Sequence, residues 1–418
     1  MKVVVYTLGC KVNQYDSDSI IAGFLKKGYA VTDKMERADV YVINTCAVTA
    51  EAERKSRQIM QRAKSLNPDA KIFVVGCASQ NNPKQFADKG ADCILGTANK
   101  IAVCDFDSLP LKSNANECQY SFPTAKVFEE TGVASTFKTR HFIKVQDGCD
   151  NFCNYCLVPY LRGKPRSRSL ENILNEVSQV AKSAKEIVLT GINLSAYGSD
   201  INLDLALLLD ALKPYDIRIR LGSLEVNVVD DRLLYATKNL GGFCDHFHLS
   251  LQSGSDKILR EMNRHYTSSE YFSAVEKIRS YFPEAAITTD LIVGYPTETD
   301  KDFADSLEFA DKVAFADMHV FTFSPRKGTE AYKLKPLDPK VLAKRQSEAS
   351  ALKRKLKDKY NSSFLGRPLE VLFESESNGY MSGHSKNYIT VYSKGAKHNE
   401  IKTVTPDKLF SDGVTVKE

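Results

Sequence analysis

Three short runs of almost uninterrupted apolar residues stand near the start of the chain, at residues 3–8, 40–43 and 72–75. Strands buried on both faces of a parallel sheet have this composition, because none of their side chains meets water. Helical patterns separate the three runs, and about 120 residues is a usual size for one domain. The pattern therefore predicts an open parallel α/β domain over residues 1–120.

Six further strand-like runs follow, and each except the last precedes a helical pattern. The runs are residues 142–145, 187–190, 217–221, 246–249, 287–293 and 319–323. Repeated βα units build a parallel sheet that curves into a barrel or part of one, with the chemistry at the carboxyl ends of the strands. We predict a second α/β domain over residues 137–360, whose last helix, 341–360, is rich in lysine and arginine.

The pattern changes again after residue 361. Short β runs at 369–374 and 388–392 are separated by the turn residues Asn378-Gly379, which predicts a small β domain over residues 361–418. Residues 105–136 are polar and lack a clear period, which is typical of a linker between the first two domains.

Composition narrows the class of protein. The 418 residues carry a net charge of +5, which permits an anionic partner such as RNA without requiring one. Because the chain has no apolar run near the roughly 18 residues that span a bilayer, and no export signal at its start, we expect a cytoplasmic protein that does not enter a membrane. In a reducing compartment, its ten cysteines favour metal binding or catalysis over disulfides.

Three cysteines are clustered as Cys149-x3-Cys153-x2-Cys156, soon after the first strand-like run of the second domain. Three thiolates can hold an iron–sulfur cubane by three irons and leave the fourth iron free to bind a ligand. A zinc ribbon would need a second pair of cysteines or histidines at ligand spacing, and none follows within about 80 residues. The spacing indicates an open iron–sulfur cluster.

Each apolar run of the first domain ends at a cysteine, namely Cys10, Cys46 and Cys77. Because the carboxyl ends of parallel strands share one edge of the sheet, we expect these residues to converge. The alternative is that they are small buried side chains, as free cysteines often are. That all three runs end in the same way favours a second metal site.

The sequence around both cysteine sets resembles the radical S-adenosylmethionine (SAM) methylthiotransferases. The matching segments are 7–15, 43–49, 55–58 and 75–80 around the first set, and 146–163 around the second. The resemblance implies a six-unit partial barrel, SAM as a cofactor and two [4Fe-4S] clusters, one radical cluster on the second set and one auxiliary cluster on the first. It also implies that the last domain is a TRAM domain, a small β-barrel that binds tRNA.

The same resemblance assigns SAM contacts near the carboxyl ends of the barrel strands. Tyr155 would lie beside the adenine, with core packing as its alternative, and Glu225 would contact the ribose, with a salt bridge as its alternative. The other expected contacts are Thr190, Gly191 and Asn193, in a segment that binds the amino group of SAM or forms an ordinary turn, and Ile292 and Gly294 on the adenine side. Residues that depart from those usual in the family are Gly222, Tyr295 and Thr297.

Residues 9–15 resemble the MtaB type, which acts on tRNA carrying N6-threonylcarbamoyladenosine. This implies methylthiolation of C2 of that nucleoside at position 37, by a SAM-derived 5′-deoxyadenosyl radical, with the auxiliary cluster carrying the inserted sulfur. The expected partners are the tRNA anticodon stem-loop and a reducing electron-donor protein. Isopentenyladenosine tRNA and a ribosomal-protein aspartate are alternative substrates, and a non-catalytic iron–sulfur RNA-binding protein is the alternative from another class.

A basic segment follows the second cysteine set and contains Arg162, Lys164, Arg166 and Arg168. Such a run suits phosphate groups, and one of its arginines could pair with the carboxylate of a threonylcarbamoyl group, which an isopentenyl group lacks. A solvated basic loop is the alternative.

Overall fold

The computed structural model describes residues 1–109, 122, 125–132 and 138–417. Most of the predicted linker, including the predicted boundaries at residues 120 and 137, lies outside the described residues. Within the described part of the chain, no helix is both long enough and apolar enough to cross a membrane.

The first domain is a five-stranded parallel sheet in the order β2-β1-β3-β4-β5. Apolar clusters cover both of its faces, as the three apolar runs predict. Its strands are β1 (Lys2–Thr7), β2 (Ala30–Thr32), β3 (Val40–Thr45), β4 (Lys71–Gly76) and β5 (Cys93–Ile94), and its helices are α1 (Lys11–Lys26), α2 (Ala50–Leu66), α3 (Cys77–Asn81) and α4 (Lys84–Ala87).

The second domain is a curved parallel sheet whose helices cover its outer face. Its strands are β6 (Arg140–Lys144), β7 (Gln146–Asp147), β8 (Arg166–Ser167), β9 (Glu186–Thr190), β10 (Arg218–Leu221), β11 (Ser223–Leu224), β12 (His246–Leu249), β13 (Ala286–Val293) and β14 (Asp317–Thr322). Its helices are α5 (Val158–Arg162), α6 (Leu170–Val180), α7 (Leu205–Ala211), α8 (Asp231–Lys238), α9 (Asp256–Glu261), α10 (Ser268–Tyr281), α11 (Asp300–Val313) and α12 (Pro339–Ser362).

Seven of these strands form the predicted partial barrel, and β10 and β11 together make one of its six units. The orders are β6-β9-β10 and β11-β12-β13-β14, and β11 continues β10 after Gly222, so the two sheets follow one another around the curve. A further parallel bridge joins Ile219 of β10 to Phe243, just before β12. The six-unit α/β fold expected from the sequence is thereby confirmed.

Side-chain caps start most helices of the barrel. Ser169 accepts a hydrogen bond from the amide of Asn172 and so caps α6. Thr267 and Thr299 form capping boxes at the starts of α10 and α11, in which each threonine and an acidic residue three positions later bond reciprocally. These caps fix the point at which each helix begins after the loop at the carboxyl end of the preceding strand.

The last domain is a six-stranded, mainly antiparallel sheet in the order β18-β15-β16-β17-β20-β19. The strands are β15 (Leu369–Ser377), β16 (Tyr380–Ser385), β17 (Thr390–Ser393), β18 (Glu400–Val404), β19 (Pro406–Phe410) and β20 (Gly413–Val416). Only Thr405 separates the two edge strands, so both edges of the sheet converge there and enclose a small apolar core. This agrees with the expected small β-barrel, while the TRAM assignment stays a prediction.

Candidate functional site

The three cysteines of the first domain lie at one edge of its sheet. They follow β1, β3 and β4, which are neighbours in the sheet. Thr45 pairs with Gly76, and Cys46 and Cys77 come directly after these two residues. Gly9 stands before Cys10 with φ of +103°, and a Cβ on it would lie 2.8 Å from the Cβ of Cys46. The structure therefore brings the three cysteines together as predicted.

The thiols of this set are free and influence one another electrostatically. Burial, together with the neighbouring Cys77 and Cys10, raises the pKa of the Cys46 thiol to about 12. A buried thiol of this kind becomes a thiolate ligand when a metal centre supplies the compensating charge. Such a donor set fits an iron–sulfur cluster better than it fits a reactive nucleophile.

The loop of the second cysteine set begins at Gly148, which has φ of +78°. A Cβ at this position would clash with the carbonyl oxygen of Lys164, so the close approach requires glycine. Backbone hydrogen bonds then hold the loop, since the amide of Cys149 donates to Gly163 O at 3.0 Å and that of Asn154 donates to Met262 O at 3.0 Å.

Each sulfur of the second set has a hydrogen-bond donor. The amide of Val158 lies 3.4 Å from Cys156 Sγ. A guanidinium nitrogen of Arg264 lies 3.4 Å from Cys153 Sγ, and the side-chain amide of Asn193 lies 4.0 Å from Cys149 Sγ. Each sulfur thus has its own donor, which is Asn193 for Cys149, Arg264 for Cys153 and Val158 for Cys156. Donors of this kind stabilise thiolates and tune the potential of a cluster that they hold.

Burial is the main influence on the pKa of the Cys149 and Cys156 thiols. It raises the pKa of Cys149 to about 11 and that of Cys156 to about 12, and the nearby Cys153 contributes in the same direction to both. The three sulfurs therefore lie within electrostatic reach of one another.

No group of three His, Cys, Asp or Glu side chains in the described ranges is close enough to ligate a single metal ion. A cubane makes a different demand, because three cysteines ligate three different irons and need not meet at one point. The free thiols, their mutual influence and their hydrogen-bond donors fit such a cluster.

Helix α5 connects the two cysteine sets. It begins just after Cys156, and the apolar cluster around Cys77 includes Leu157 and Leu161. The side chain of Gln80, on α3, donates to Leu161 O at 2.7 Å. Helix α5, which is about one and a half turns long, therefore lies between the two cysteine sets and contacts both regions.

A cavity of about 250 Å³ lies beside the Cys149 loop. Asn193 and Glu225, two of the residues expected to contact SAM, line it. Arg264 forms an ion pair with Glu225 and so connects this cavity to Cys153. Although burial opposes the charge, Tyr266, Tyr155 and Glu225 hold the pKa of Arg264 well above its usual value. Arg264 is a site residue that the sequence alone does not indicate, because its neighbours in the chain form no recognisable motif.

Gln146 links two other parts of the expected SAM site. Its side-chain oxygen accepts from the amide of Asn193 at 2.8 Å, and its side-chain nitrogen donates to Gly148 O at 2.7 Å. Gly191 leaves room for this side chain, since a Cβ there would lie 2.9 Å from the Gln146 oxygen. The carbonyl of Thr190 accepts from the amide of Val145 at 2.9 Å, so it continues the β6–β9 pairing.

Tyr155 and Ile292 lie in one apolar cluster with Tyr295 and Phe323. Gly294 faces elsewhere: its amide donates to the carboxylate of Glu298 at 2.8 Å, and a Cβ on it would clash with a side chain of α12. The requirement for glycine at position 294 thus comes from its φ of +77°, which other residues rarely adopt, and from the close approach of Leu342.

The three arginines of the basic segment do not form the exposed phosphate site that their spacing suggests. Arg162, Arg166 and Arg168 are only 1%, 6% and 3% exposed. Arg162 donates to Asp147 at 2.9 Å, and Arg168 pairs with Glu176. Because burying a guanidinium requires such internal partners, these side chains are committed inside the protein, and only Lys164 is exposed.

The basic helix α12 is also partly internal. Arg345 is buried and pairs with Glu298 at 2.7 Å, while Lys353 and Lys357 both pair with Asp317. The exposed cations of this helix are Lys340, Lys344, Arg354, Lys355 and Lys359. RNA contact by this helix stays a prediction.

Two known families match parts of the chain. The Radical SAM superfamily matches residues 143–310, and the Uncharacterized protein family UPF0004 matches residues 2–96. The first match spans most of the partial barrel, and the second spans the sheet that carries the first cysteine set.

Curated relatives match nearly the whole chain. The threonylcarbamoyladenosine tRNA methylthiotransferase MtaB of Thermotoga maritima is 38% identical over 424 residues, which cover 99% of this chain and 96% of the relative. The tRNA-2-methylthio-N(6)-dimethylallyladenosine synthase of Geobacillus thermodenitrificans is 35% identical, covering 95% of this chain and 79% of the relative. Among solved structures, the radical SAM methyltransferase TsrM from Kitasatospora setae has a TM-score of 0.55 at 12% identity, covering 77% of this chain and 74% of that one. That likeness concerns the fold alone.

Proposed function

The chain belongs to the radical SAM tRNA methylthiotransferases of the MtaB type, and we propose that it methylthiolates C2 of N6-threonylcarbamoyladenosine at position 37 of tRNA. The observation that carries the proposal is the position of α5 between two three-cysteine sets. A reaction that takes a hydrogen atom from a carbon and then delivers sulfur to it needs both centres at one substrate position.

In this proposal Cys149, Cys153 and Cys156 hold the radical [4Fe-4S] cluster, and the first set, at residues 10, 46 and 77, holds the auxiliary cluster. When bound, the former supplies the one-electron cleavage of SAM and the latter the sulfur that is inserted. The tRNA anticodon stem-loop and an electron-donor protein are the proposed partners.

In this proposal, residues of this chain hold the ligating cysteines in place and orient SAM. Asn193 and Arg264 donate to the sulfurs of Cys149 and Cys153, which fixes the ligating side chains. Arg264 also holds Glu225 at the cavity, where this carboxylate is positioned to receive ribose hydroxyls of SAM. The salt bridge to Arg264 is present, and in this proposal Glu225 makes the ribose contact as well, so the two alternatives given for this residue are compatible.

Apolar side chains form another wall of the proposed SAM site. Tyr155 lies between two ligating cysteines and packs in one cluster with Ile292. Such a wall excludes water from a reactive radical and orients the adenine by contact.

The nucleoside is the finer part of the proposal. The relative from Thermotoga maritima, named for threonylcarbamoyladenosine, matches at 38% identity over almost both full lengths, whereas the relative named for dimethylallyladenosine matches at 35% and extends beyond this chain. Identity alone does not separate the two names, since the MtaB of Bacillus subtilis is also 35% identical. The nearly full coverage of the MtaB relatives favours the threonylcarbamoyl substrate and keeps the dimethylallyl substrate as the second candidate.

The decisive experiment is mass spectrometry of tRNA nucleosides from a deletion strain and from the same strain complemented with the wild-type gene or with C149A. We expect the 2-methylthio derivative of threonylcarbamoyladenosine to disappear on deletion and to return only with the wild-type gene. Loss of the dimethylallyl derivative instead would establish the second candidate. If neither tRNA nucleoside changed, the proposed tRNA substrate would be wrong.

A further inference from the structure

Asn13, on the first turn of α1, holds together two strand ends that lead to cysteines. The residue is 1% exposed, and its side-chain nitrogen donates to Leu8 O and to Thr45 O, each at 2.9 Å. Leu8 stands two residues before Cys10, and Thr45 stands directly before Cys46. The side-chain amide of Asn13 therefore fixes the backbone from which these two cysteines project.

Asp147 has the corresponding place in the second domain. This residue ends β7 and accepts a hydrogen bond from the amide of Gly148 at 2.8 Å. Gly148 is the glycine at which the loop of the second cysteine set begins, directly before Cys149. Asp147 is only 7% exposed, and a buried carboxylate requires a cation and hydrogen-bond donors. The conformation at the start of the loop therefore depends on what Asp147 binds.

Arg162, the last residue of α5, joins these two residues. One of its terminal nitrogens donates to both carboxylate oxygens of Asp147, at 2.9 and 3.0 Å, and the other donates to the side-chain oxygen of Asn13 at 2.8 Å. A guanidinium is planar and holds its donors in fixed directions, and this one belongs to a residue that is 1% exposed. One rigid group therefore spans from the strand ends of the first cysteine set to the loop of the second.

The network around Arg162 contains more buried positive charge than negative charge. Its cations are Lys100, Lys144, Arg162 and Arg166, and its carboxylates are those of Asp16 and Asp147, with these ion pairs at 3.8 Å or less. Four buried cations against two carboxylates leave an excess of two positive charges, which is costly unless anions lie nearby. Because three thiolates outweigh the charge of a cubane core, a cluster at each cysteine set would be such an anion. The charge of the network thus suits a position between two clusters.

Arg168 shows that burial and ion pairing alone do not produce such a connection. It is 3% exposed and pairs with the buried Glu176, and its guanidinium also donates to Glu130 at 2.8 Å and to the hydroxyl of Tyr15 at 3.4 Å. None of these three partners adjoins a residue of either cysteine set. The partners of Arg162, in contrast, bind backbone that lies within two residues of a cysteine in both sets.

We propose that Arg162 is a positioning residue that fixes the separation and orientation of the two cysteine sets, so that the carbon losing its hydrogen lies within reach of the sulfur source. The inference rests on the proposed function, because only a reaction that uses both centres on one nucleoside requires this precision. A misplacement of about 1 Å at a reacting centre can lower a rate about a hundredfold. Sulfur insertion is therefore the step that depends on Arg162, whereas cleavage of SAM needs the second set alone.

The test compares R162K with the wild type, both full-length and with reconstituted clusters. Lysine keeps the charge, but its one nitrogen cannot make the forked contact with Asp147 and Asn13 together. Without tRNA, electron paramagnetic resonance of the reduced protein reports the magnetic interaction between the two clusters, which weakens steeply as their separation grows. With SAM and a stem-loop carrying threonylcarbamoyladenosine, chromatography and mass spectrometry give the ratio of 5′-deoxyadenosine to methylthio product. We expect R162K to keep the iron content and the cleavage of SAM, to change the magnetic interaction, and to raise this ratio by about ten- to a hundredfold.

N13S breaks the same bridge from the first domain, should have the same two effects, and decides the question if R162K does not take up both clusters. The matched control is R168K, which changes another buried arginine of the same segment and should behave as the wild type in both measurements. A wild-type magnetic interaction and product ratio in R162K or N13S would overturn the proposal. So would equal losses of cleavage and product, which would confine the role of Arg162 to the second cysteine loop. If the wild type cleaves SAM but forms no methylthio product, the proposed function fails, and the magnetic interaction still decides the role of Arg162.

Discussion

Asp16 of α1 and Lys144 of β6 form an ion pair, with Oδ1 and Nζ 2.7 Å apart, across the boundary between the first domain and the barrel. Their side chains are only 5% and 4% exposed. Asp16 also accepts from Lys100 at 2.6 Å and lies 3.7 Å from Arg162, the last residue of α5. One carboxylate therefore lies within ion-pair distance of three cations at the point where the two cysteine-bearing domains meet.

Replacing this carboxylate should weaken the whole protein. D16N leaves Lys100 buried without its counter-charge and leaves Lys144 with only Asp147, at 3.5 Å, and removing one partner of a buried pair costs about 3 to 5 kcal/mol. Urea unfolding should report a loss of this size in the free energy of unfolding. The control is D216N, at an exposed aspartate, which should change it by less than about 0.5 kcal/mol. Equal stability of D16N and the wild type would contradict the importance given to this contact.

The two cysteine sets should separate by function. C149A should abolish cleavage of SAM to 5′-deoxyadenosine, because the residue belongs to the set proposed to hold the radical cluster. C46A should keep that cleavage but form no methylthio product, because only the proposed sulfur source is removed. Chromatography of deoxyadenosine and mass spectrometry of the tRNA measure both outcomes in one reaction.

The control for the cysteine variants is C244A, at a buried cysteine of the barrel that belongs to neither set. It should keep both products and the full iron content, whereas C46A and C149A should each retain about half of the iron. Methylthiolated tRNA from C46A would refute the role proposed for the first domain.

Much of this fold follows from local patterns in the sequence. The strands of both parallel sheets are nearly uninterrupted apolar runs, and their periodicity is distinct from that of the helices between them. The convergence of Cys10, Cys46 and Cys77 then follows from topology alone, because adjacent parallel strands end at one edge. In the last domain, β18 and β19 are mostly exposed and carry lysines and other polar residues, so composition alone did not predict them.

The basic segment was the harder part of the site to predict. Four cations within seven residues are typical of a phosphate site, but the carboxylates that pair with Arg162 and Arg168 come from β7 and α6. Only the packing of three elements buries them together. The importance of Arg264 likewise depends on Cys153, which lies more than a hundred residues away in the chain.

Glu186 provides a pH-dependent test of barrel stability. It is fully buried, and although burial opposes its charge, Arg220 and Arg218 lower the pKa of this carboxyl to about 2 from a usual value of 4.5. A lowered pKa in the folded state means that ionisation stabilises the fold above pH 4.5, and that this contribution is lost as the pH falls from 4.5 toward 2.

E186Q should therefore be less stable than the wild type by about 3 kcal/mol at neutral pH. The difference should shrink as the pH is lowered below 4.5. Urea unfolding of both proteins at a series of pH values measures it, with E376Q, at an exposed position, as the control that should match the wild type throughout. A difference independent of pH would mean that packing rather than charge accounts for the role of Glu186.

Arg264 should set the reduction potential of the cluster proposed at the Cys149 loop. Its guanidinium lies 3.4 Å from Cys153 Sγ and also neutralises Glu225. A cation beside a ligating sulfur favours the reduced, more negative cluster, so R264Q should lower the potential by an amount on the order of tens of millivolts. Slower reductive cleavage of SAM should accompany the change.

The measurement is a redox titration followed by electron paramagnetic resonance, with R264Q introduced into C46A so that one cluster titrates. R264K retains the positive charge near Cys153 and should recover most of the potential, although it cannot reproduce the planar contact with Glu225. If R264Q and R264K lowered the potential equally, geometry rather than charge would be the cause. An unchanged potential in both would mean that Arg264 acts only by holding Glu225 at the cavity, because its proximity to the sulfur would then have no electrostatic effect on the cluster.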